Sequence, residues 1–108
     1  KTSRLLRESL GWPAERWATS FQSRFGPAKW LEPYTSDTIL RLAREGKKHI
    51  AILSPGFASD CIETLEELNI GLREQFLHEG GERFTYIPCL NTDEAHIRLL
   101  KALVEEAL

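Results

Sequence analysis

A row of glutamates in one predicted helix contains the side chains of this chain that are best suited to chemistry. Glu63, Glu67 and Glu74 are spaced four and seven residues apart, which places them almost in line on one face of an α-helix. Carboxylates at the mouth of a cleft can hold a divalent cation and release it again, because they bind such ions less strongly than thiolates do. One carboxylate could also accept a proton from a substrate nitrogen.

The same helix supports a simpler interpretation of its acidic row. The opposite face carries side chains at helical spacing that suit a buried stripe: Cys61, Leu65, Leu68, Leu72 and Phe76. Because such a stripe packs on a neighbouring layer, periodicity alone predicts that the glutamates face solvent. Asp60 and Glu63 have the spacing of a capping box, so the helix is expected to run from about Asp60 to about His78 and to end before Gly80.

The elements that must position these acids follow from the rest of the pattern. Helices are predicted over 2–10, 36–45 and 93–107, and strands over 16–23, 49–54 and 83–88. Thr35 or Ser36 is expected to cap the second of these helices, and Asn91 with Glu94 to form a capping box for the last. Strands that alternate with helices imply right-handed crossovers and a parallel sheet. We therefore predict a three-layer, Rossmann-like α/β half-domain in which about three parallel strands are flanked by helices on both faces.

The predicted sheet places the acidic helix beside a crevice. In open parallel sheets ligands bind beyond the carboxyl ends of the strands, and here the loops 24–33, 55–59 and 89–92 lie at that edge. Trp30 belongs to the first of these loops, and Gln22 comes near the end of the strand before it. Simpler explanations exist for both, because an aromatic side chain can cover a sheet edge and a polar one can satisfy backbone groups of a loop.

Composition and charge exclude several classes of function. The chain has 14 basic and 16 acidic residues and a net charge of −2, whereas a nucleic-acid partner demands a basic face. No apolar run approaches the length of a membrane span, and the polar start at Lys1 is unlike a secretory signal. Because the sequence does not begin with Met, we expect it to be part of a longer protein. Cys61 and Cys89 form neither a metal-binding nor a C-x-x-C pattern, so we predict two reduced thiols in a cytoplasmic protein.

Three segments of the sequence resemble the ferrochelatase family. Residues 21–31, Phe-Gln-Ser-Arg-Phe-Gly-Pro-Ala-Lys-Trp-Leu, are similar to its F-Q-S-[RK]-x-G-x-x-x-W-L segment. Residues 55–67, Pro-Gly-Phe-Ala-Ser-Asp-Cys-Ile-Glu-Thr-Leu-Glu-Glu, resemble its pattern F-x-[SA]-[DE]-x-[IL]-E-[TV]-L-x-[ED]. Residues 86–91, Tyr-Ile-Pro-Cys-Leu-Asn, are similar to its last strand and the turn that follows. The resemblance extends from about residue 18 to the end of the chain.

The resemblance implies both a fold and an activity. Residues 1–108 would form the C-terminal part of the second of two Rossmann-like halves, with the porphyrin in the cleft between them. The full enzyme, a lyase, would insert Fe²⁺ into protoporphyrin IX to give protohaem, with release of two protons. Its partners would be these two substrates and the N-terminal part of the same protein. Fe²⁺ would be a substrate and no tightly bound cofactor is expected, and the fragment alone would be inactive.

The resemblance also implies roles for individual residues. Glu63 aligns with the family glutamate that faces the porphyrin centre, which implies that it is a metal ligand for iron or the catalytic base. Asp60 and Glu67 match neighbouring acids that assist proton removal or metal passage. The porphyrin cleft would be lined by Trp30, Gln22 and Ser23.

Some features of the family are expected to lie outside this chain. The active-site histidine of the family is on a strand upstream of the aligned positions, and none of His49, His78 and His96 occupies its place. His78 and His96 are expected at the surface, and no cysteine cluster offers ligands for an iron–sulfur centre. The alternative from another class is a non-catalytic α/β domain that binds a small ligand or a partner at the crevice. No glycine fingerprint follows a strand, which argues against nucleotide binding.

Overall fold

The computed structural model of the chain describes residues 1–22, 27–29 and 31–108. In chain order its elements are α1 (Thr2–Leu10), a short 3₁₀-helix (Ala14–Arg16), α2 (Thr35–Arg44), β1 (His49–Ile52), α3, β2 (Arg83–Tyr86) and α4 (Glu94–Ala107). Helix α3 is continuous but has two parts, a π-helix over Glu63–Leu72 and an α-helix over Arg73–His78. The fold is therefore of mixed α/β type, as predicted.

The two strands form a parallel pair that α3 connects. Ile50 lies opposite Phe84 and Ile52 opposite Tyr86. Within the described residues this sheet has two strands, each shorter than the apolar run that predicted it. The strands end early because Ser54, Pro55 and the residues that follow turn away from the ladder.

The predicted strand over 16–23 is wrong for the residues that the structure describes. Phe21 forms only an isolated bridge to Tyr34. Trp17 faces α1 instead of a sheet: its Nε1 donates to Ser3 Oγ at 2.8 Å, and its ring meets Trp12 edge-on with ring centroids 6.3 Å apart. The large side chain of Trp17 is thus explained by packing on α1, and the alternation of large and small side chains around it only resembles the pattern of a strand.

The core lies on one face of the sheet. Its buried apolar residues come from α2, α3 and β2: Ile39, Ala43, Leu68, Leu72, Phe76 and Phe84. The opposite face of the strands, which carries His49, Ala51, Arg83 and Thr85, is exposed in the described part of the chain. The predicted three-layer, Rossmann-like arrangement is therefore not confirmed.

Helix ends differ from the predicted caps. No side-chain hydrogen bond caps α2, and Thr35 Oγ1 instead contacts Ser20 Oγ at 2.9 Å. Asp93 caps α4 by accepting from the Ala95 backbone N–H at 3.0 Å, so the predicted capping box of Asn91 and Glu94 is wrong. The reason is that the Asn91 side chain is bonded to another part of the chain.

A buried aromatic ring limits the size of the side chain that Gly81, two residues before β2, could be replaced by. A Cβ added at Gly81 would lie 2.2 Å from Cε2 of Phe76, whose side chain is fully buried. We expect Gly81→Ala to lower the free energy of unfolding by about 1–3 kcal/mol, the usual cost of overpacking a core. Urea unfolding checks this. Gly56→Ala is the control, because a Cβ there meets no described atom within 4 Å, and equal stability of both variants would contradict the prediction.

Candidate functional site

The acidic row begins where α3 comes closest to the segment before α2. Glu63 is the first residue of the π-helix and is half-buried, whereas Glu67 and Glu74 are exposed. The backbone carbonyl of Glu63 accepts from Gln22 Nε2 at 3.3 Å. Solvent exposure, which periodicity predicted for the whole row, is therefore confirmed for Glu67 and Glu74 but not for Glu63.

The π-helix changes which side chains face the core. Its buried residues are spaced by four, at Thr64, Leu68 and Leu72, and Phe76 continues the series in the α-helical part. Leu65 was predicted on this face but is 46% exposed. In a π-helix each turn takes more residues than in an α-helix, so the residue four before Leu68 lies nearer the core than the residue three before it. Thr64 consequently takes the place predicted for Leu65.

An open groove runs between the first turn of α2 and the π-helix. Its volume is about 440 Å³. Glu67 and Leu68 line it from α3, and Phe21 and Gln22 line it from the segment before α2. One proposed acid and one proposed porphyrin contact thus border the same space.

The Asp60 carboxylate lies at the carboxyl end of β2, in contact with three side chains. Oδ1 accepts from the hydroxyl of Tyr86 and, at 2.9 Å, from Thr64 Oγ1, while Oδ2 accepts from Asn91 Nδ2 at 2.8 Å. The predicted capping pair of Asp60 and Glu63 is wrong, because the helix begins later and no side-chain bond caps it. The carboxylate is used across the fold and not at the end of its own helix.

These contacts change the acidity of the groups involved. The hydrogen bonds from Tyr86 and Asn91, with a smaller one from Thr64, hold the pKa of the Asp60 carboxyl well below its ordinary value. Burial first, and the bond to Asp60 second, raise the pKa of the Tyr86 hydroxyl above its usual range. Burial is also the main cause that raises the pKa of the Cys89 thiol. Asp60 is thus a fixed negative charge and a weak proton acceptor near neutral pH.

The structure brings some of the predicted site residues close together, whereas others lie outside the described residues. Asp60 and Glu63 lie on one short segment at the start of α3, and Glu67 follows on the next turn. Gln22 is tied to this helix by its bond to the Glu63 carbonyl. Trp30 and Ser23 lie outside the described residues.

Sequence reasoning missed the roles of Tyr86 and Asn91. Tyr86 alternates with the buried Phe84 on β2 and comes at the carboxyl end of that strand, the edge at which ligand sites of parallel sheets are built. That position could have identified Tyr86 as a candidate site residue. Asn91 was assigned to α4 because its spacing to Glu94 matched a capping box, and nothing local in the sequence indicated its bond to Asp60.

The described part of the chain has neither a cluster of metal-binding side chains nor a membrane-spanning helix. Over residues 1–22, 27–29 and 31–108, no three His, Cys, Asp or Glu side chains come together closely enough to hold a metal ion. None of the helices described there combines the length and the apolar character needed to cross a bilayer. Cys61 and Cys89 are free thiols, as predicted.

Comparisons with known proteins agree with one another. The family model described as Ferrochelatase matches residues 1–108. Ferrochelatase of Rhodobacter capsulatus is 58% identical over 108 residues, which is 100% of this chain and 31% of the relative. Ferrochelatase of Rhizobium meliloti (strain 1021) is 55% identical, over 100% of this chain and 32% of the relative. Coproporphyrin III ferrochelatase of Streptococcus mutans is 47% identical, with 100% and 34% covered. The chain spans about a third of the length of these relatives.

The lowered pKa of Asp60 predicts an acid-dependent stability. The folded state binds its proton less readily than the unfolded state, so the contribution is complete above the ordinary value of 3.8 and is lost as pH falls below it. We expect Asp60→Asn to be less stable than wild type at neutral pH, and the difference to shrink as pH falls from about 4 towards the lowered pKa. Urea unfolding across this range is the measurement, with the exposed Asp37→Asn as control. A difference that does not change with pH would contradict the assignment.

Proposed function

Since this chain belongs to the ferrochelatase family, we propose that the full-length protein inserts ferrous iron into a porphyrin and that these residues supply one wall of its cleft. We place them in the second of two Rossmann-like halves, at its C-terminal part, as the motif resemblance implies. The reaction takes place in the cytoplasm in this proposal, with protoporphyrin IX and Fe²⁺ as substrates. The observation that carries the proposal is the family match over residues 1–108, with Glu63 at the start of the π-helix.

Metal insertion requires a group that accepts protons and a ligand that releases iron. Two pyrrole protons leave the macrocycle as Fe²⁺ enters it, and a carboxylate can assist either event because it binds Fe²⁺ weakly enough to give it up. Glu63 has this role in our proposal. Its half-buried position and the bond from Gln22 to its backbone carbonyl support this, because they restrain the residue beside Gln22, which lines the groove.

The other two acids have separate roles in the proposal. Glu67 is exposed and lines the groove one turn after Glu63, so it receives the cation from solvent and passes it inward, or takes up a released pyrrole proton and passes it to solvent. Asp60 contributes a fixed negative charge, which favours cation passage over proton removal because its own pKa is lowered. The remaining base is the family histidine, from the N-terminal part of the protein.

The porphyrin lies against the segment before α2 in this proposal. Gln22 borders the groove, and Ser23 follows it in the sequence. Trp30 contributes a flat aromatic face that suits stacking on a macrocycle. One relative takes its name from coproporphyrin III, so an assay should offer both that porphyrin and protoporphyrin IX. No tightly bound cofactor takes part.

Replacing the central carboxylate tests the proposal. In the full-length enzyme, Glu63→Gln is expected to lower kcat by at least about a hundredfold, the usual effect of removing a general acid–base group, while porphyrin binding and the far-ultraviolet circular dichroism stay unchanged. Metallation followed by porphyrin absorbance, and binding followed by fluorescence, are the measurements. Glu66→Gln is the matched control, since Glu66 is exposed on the same helix. Wild-type turnover in Glu63→Gln would refute the role.

The isolated chain is expected to be inactive. Purified residues 1–108 should insert neither Fe²⁺ nor Zn²⁺ into porphyrin, because they lack the opposite wall of the cleft and its histidine. The same absorbance assay, with the full-length enzyme as the positive control, checks this. Turnover by the isolated chain would show that one wall is sufficient and would contradict the two-walled site.

A further inference from the structure

Asn91 connects the loop that follows β2 with the segment before α3 and with α4. It has a left-handed backbone, with φ of 48°, and its N–H donates to the Ala58 carbonyl at 3.0 Å. Its side-chain Nδ2 donates to Asp60 Oδ2 at 2.8 Å and to the Cys89 carbonyl at 3.1 Å. Its own carbonyl accepts from His96 Nδ1 at 2.7 Å. His96 is buried, so its prediction as a surface residue is wrong.

The contact between Asn91 and Asp60 has two parallel bonds. Besides the bond from Nδ2 to Oδ2, the backbone N–H of Asp60 donates to Asn91 Oδ1 at 2.8 Å. One bond would allow the segment to rotate about it, whereas two bonds fix both its position and its orientation. We call this pair the Asn91 clasp. One of its two bonds has a charged acceptor, which makes it stronger than a bond between neutral groups.

The clasp lies three residues before Glu63. Thr64 Oγ1 accepts from the Cys61 backbone N–H at 3.0 Å and is bonded to Asp60 Oδ1. The first turn of α3 is therefore tied to Asp60, and Asp60 is tied to Asn91. Within the described residues the helix has no side-chain cap, so these contacts of Asp60 and Asn91 are the ones that hold its start.

We infer that Asn91 is a positioning residue of the metal-insertion site: by clasping Asp60, it fixes the first turn of α3 and with it the location of Glu63. The expected effect on turnover rests on the proposed function, whereas the Asn91 clasp is an observed contact that does not depend on it. The competing explanation is that Asn91 serves only its own backbone, since Asn tolerates the left-handed conformation better than most residues.

Two substitutions separate these explanations in the full-length enzyme. Asn91→Gly keeps the left-handed backbone and removes both bonds of the clasp together with the bond to the Cys89 carbonyl. Asn91→Asp keeps the shape and Oδ1, but places a second carboxylate against Asp60. The control is Asn69→Asp, because Asn69 Oδ1 accepts from Arg73 Nη2 at 2.7 Å and the new carboxylate would meet a positive charge.

Hydrogen exchange at the start of α3 is the first measurement. The N–H groups of Thr64 and Leu65 both bond to the Cys61 carbonyl, so the peptide covering residues 59–68 reports on this turn. We expect exchange at least about tenfold faster in both Asn91 variants, as for loss of a hydrogen bond to a charged group, and faster in Asn91→Asp than in Asn91→Gly. Asn69→Asp should match wild type. Wild-type exchange in both Asn91 variants would overturn the inference.

Turnover is the second measurement. Asn91→Asp should lower kcat at least about tenfold while the KM for porphyrin changes less than about twofold, since the substituted group does not touch substrate. If the KM for porphyrin rises by as much as kcat falls, the substitution has damaged the site in general, and this outcome would count against a positioning role. If the wild-type enzyme inserts no metal, the proposed function fails. The exchange experiment would still show whether the Asn91 clasp holds the first turn of α3.

A double variant that exchanges the two side chains tests the inference even if Asn91→Asp alone does not fold. The double variant Asp60→Asn/Asn91→Asp restores one amide and one carboxylate to the contact. We expect the double variant to be more stable than the summed losses of Asp60→Asn and Asn91→Asp allow, because contacting residues do not act additively. If its loss of stability equals or exceeds that sum, the two side chains are not coupled and the inference is wrong.

Discussion

The Asp60 carboxylate is the interaction on which the arrangement of the site depends. It joins parts of the chain that are distant in sequence, because its donors are Thr64 in α3, Tyr86 at the end of β2 and Asn91 in the next loop. A partly buried carboxylate is costly unless hydrogen bonds replace its water, and here three side chains do so. The same bonds that stabilise the charge therefore set where the acidic helix begins.

The far part of α3 is anchored on the same strand by a cation. Arg73 Nη1 donates to the Phe84 carbonyl at 2.6 Å, and the guanidinium lies 5.1 Å from the centroid of the Phe84 ring. Arg73 also donates to the Asn69 carbonyl at 3.0 Å, close to the point where the π-helix becomes an α-helix. Between Asp60 at one end and Arg73 at the other, the π-helical segment is held on β2, and this segment carries Glu67, which lines the groove.

Local sequence patterns predicted the positions of helices and strands better than they predicted the side-chain contacts between them. Helix α1, the helix at 36–45 and both central strands were found near their observed positions because apolar periodicity and glycine stops are local signals. The strand over 16–23 failed because Trp17 packs on α1, and the two capping boxes failed because Asp60 and Asn91 bond to each other. Spacing rules assume that a polar side chain serves its own helix, whereas these two residues are 31 positions apart in the sequence.

The same contact connects two of the segments that carry the motif resemblance. Periodicity ranked the acids of α3 only by their helical angle, so it placed Glu63, Glu67 and Glu74 in one solvent-facing row, and spacing assigned Asp60 to a helix cap. The motif segments at 55–67 and 86–91 are brought together by the Asn91 clasp and the Tyr86 hydroxyl, so the two motifs describe the two sides of one contact. That contact makes the acids different, because a carboxylate with its oxygens occupied by donors can position its neighbours but is a poor base. In our proposal the chemistry then falls to the acids beyond it on α3, Glu63 and Glu67.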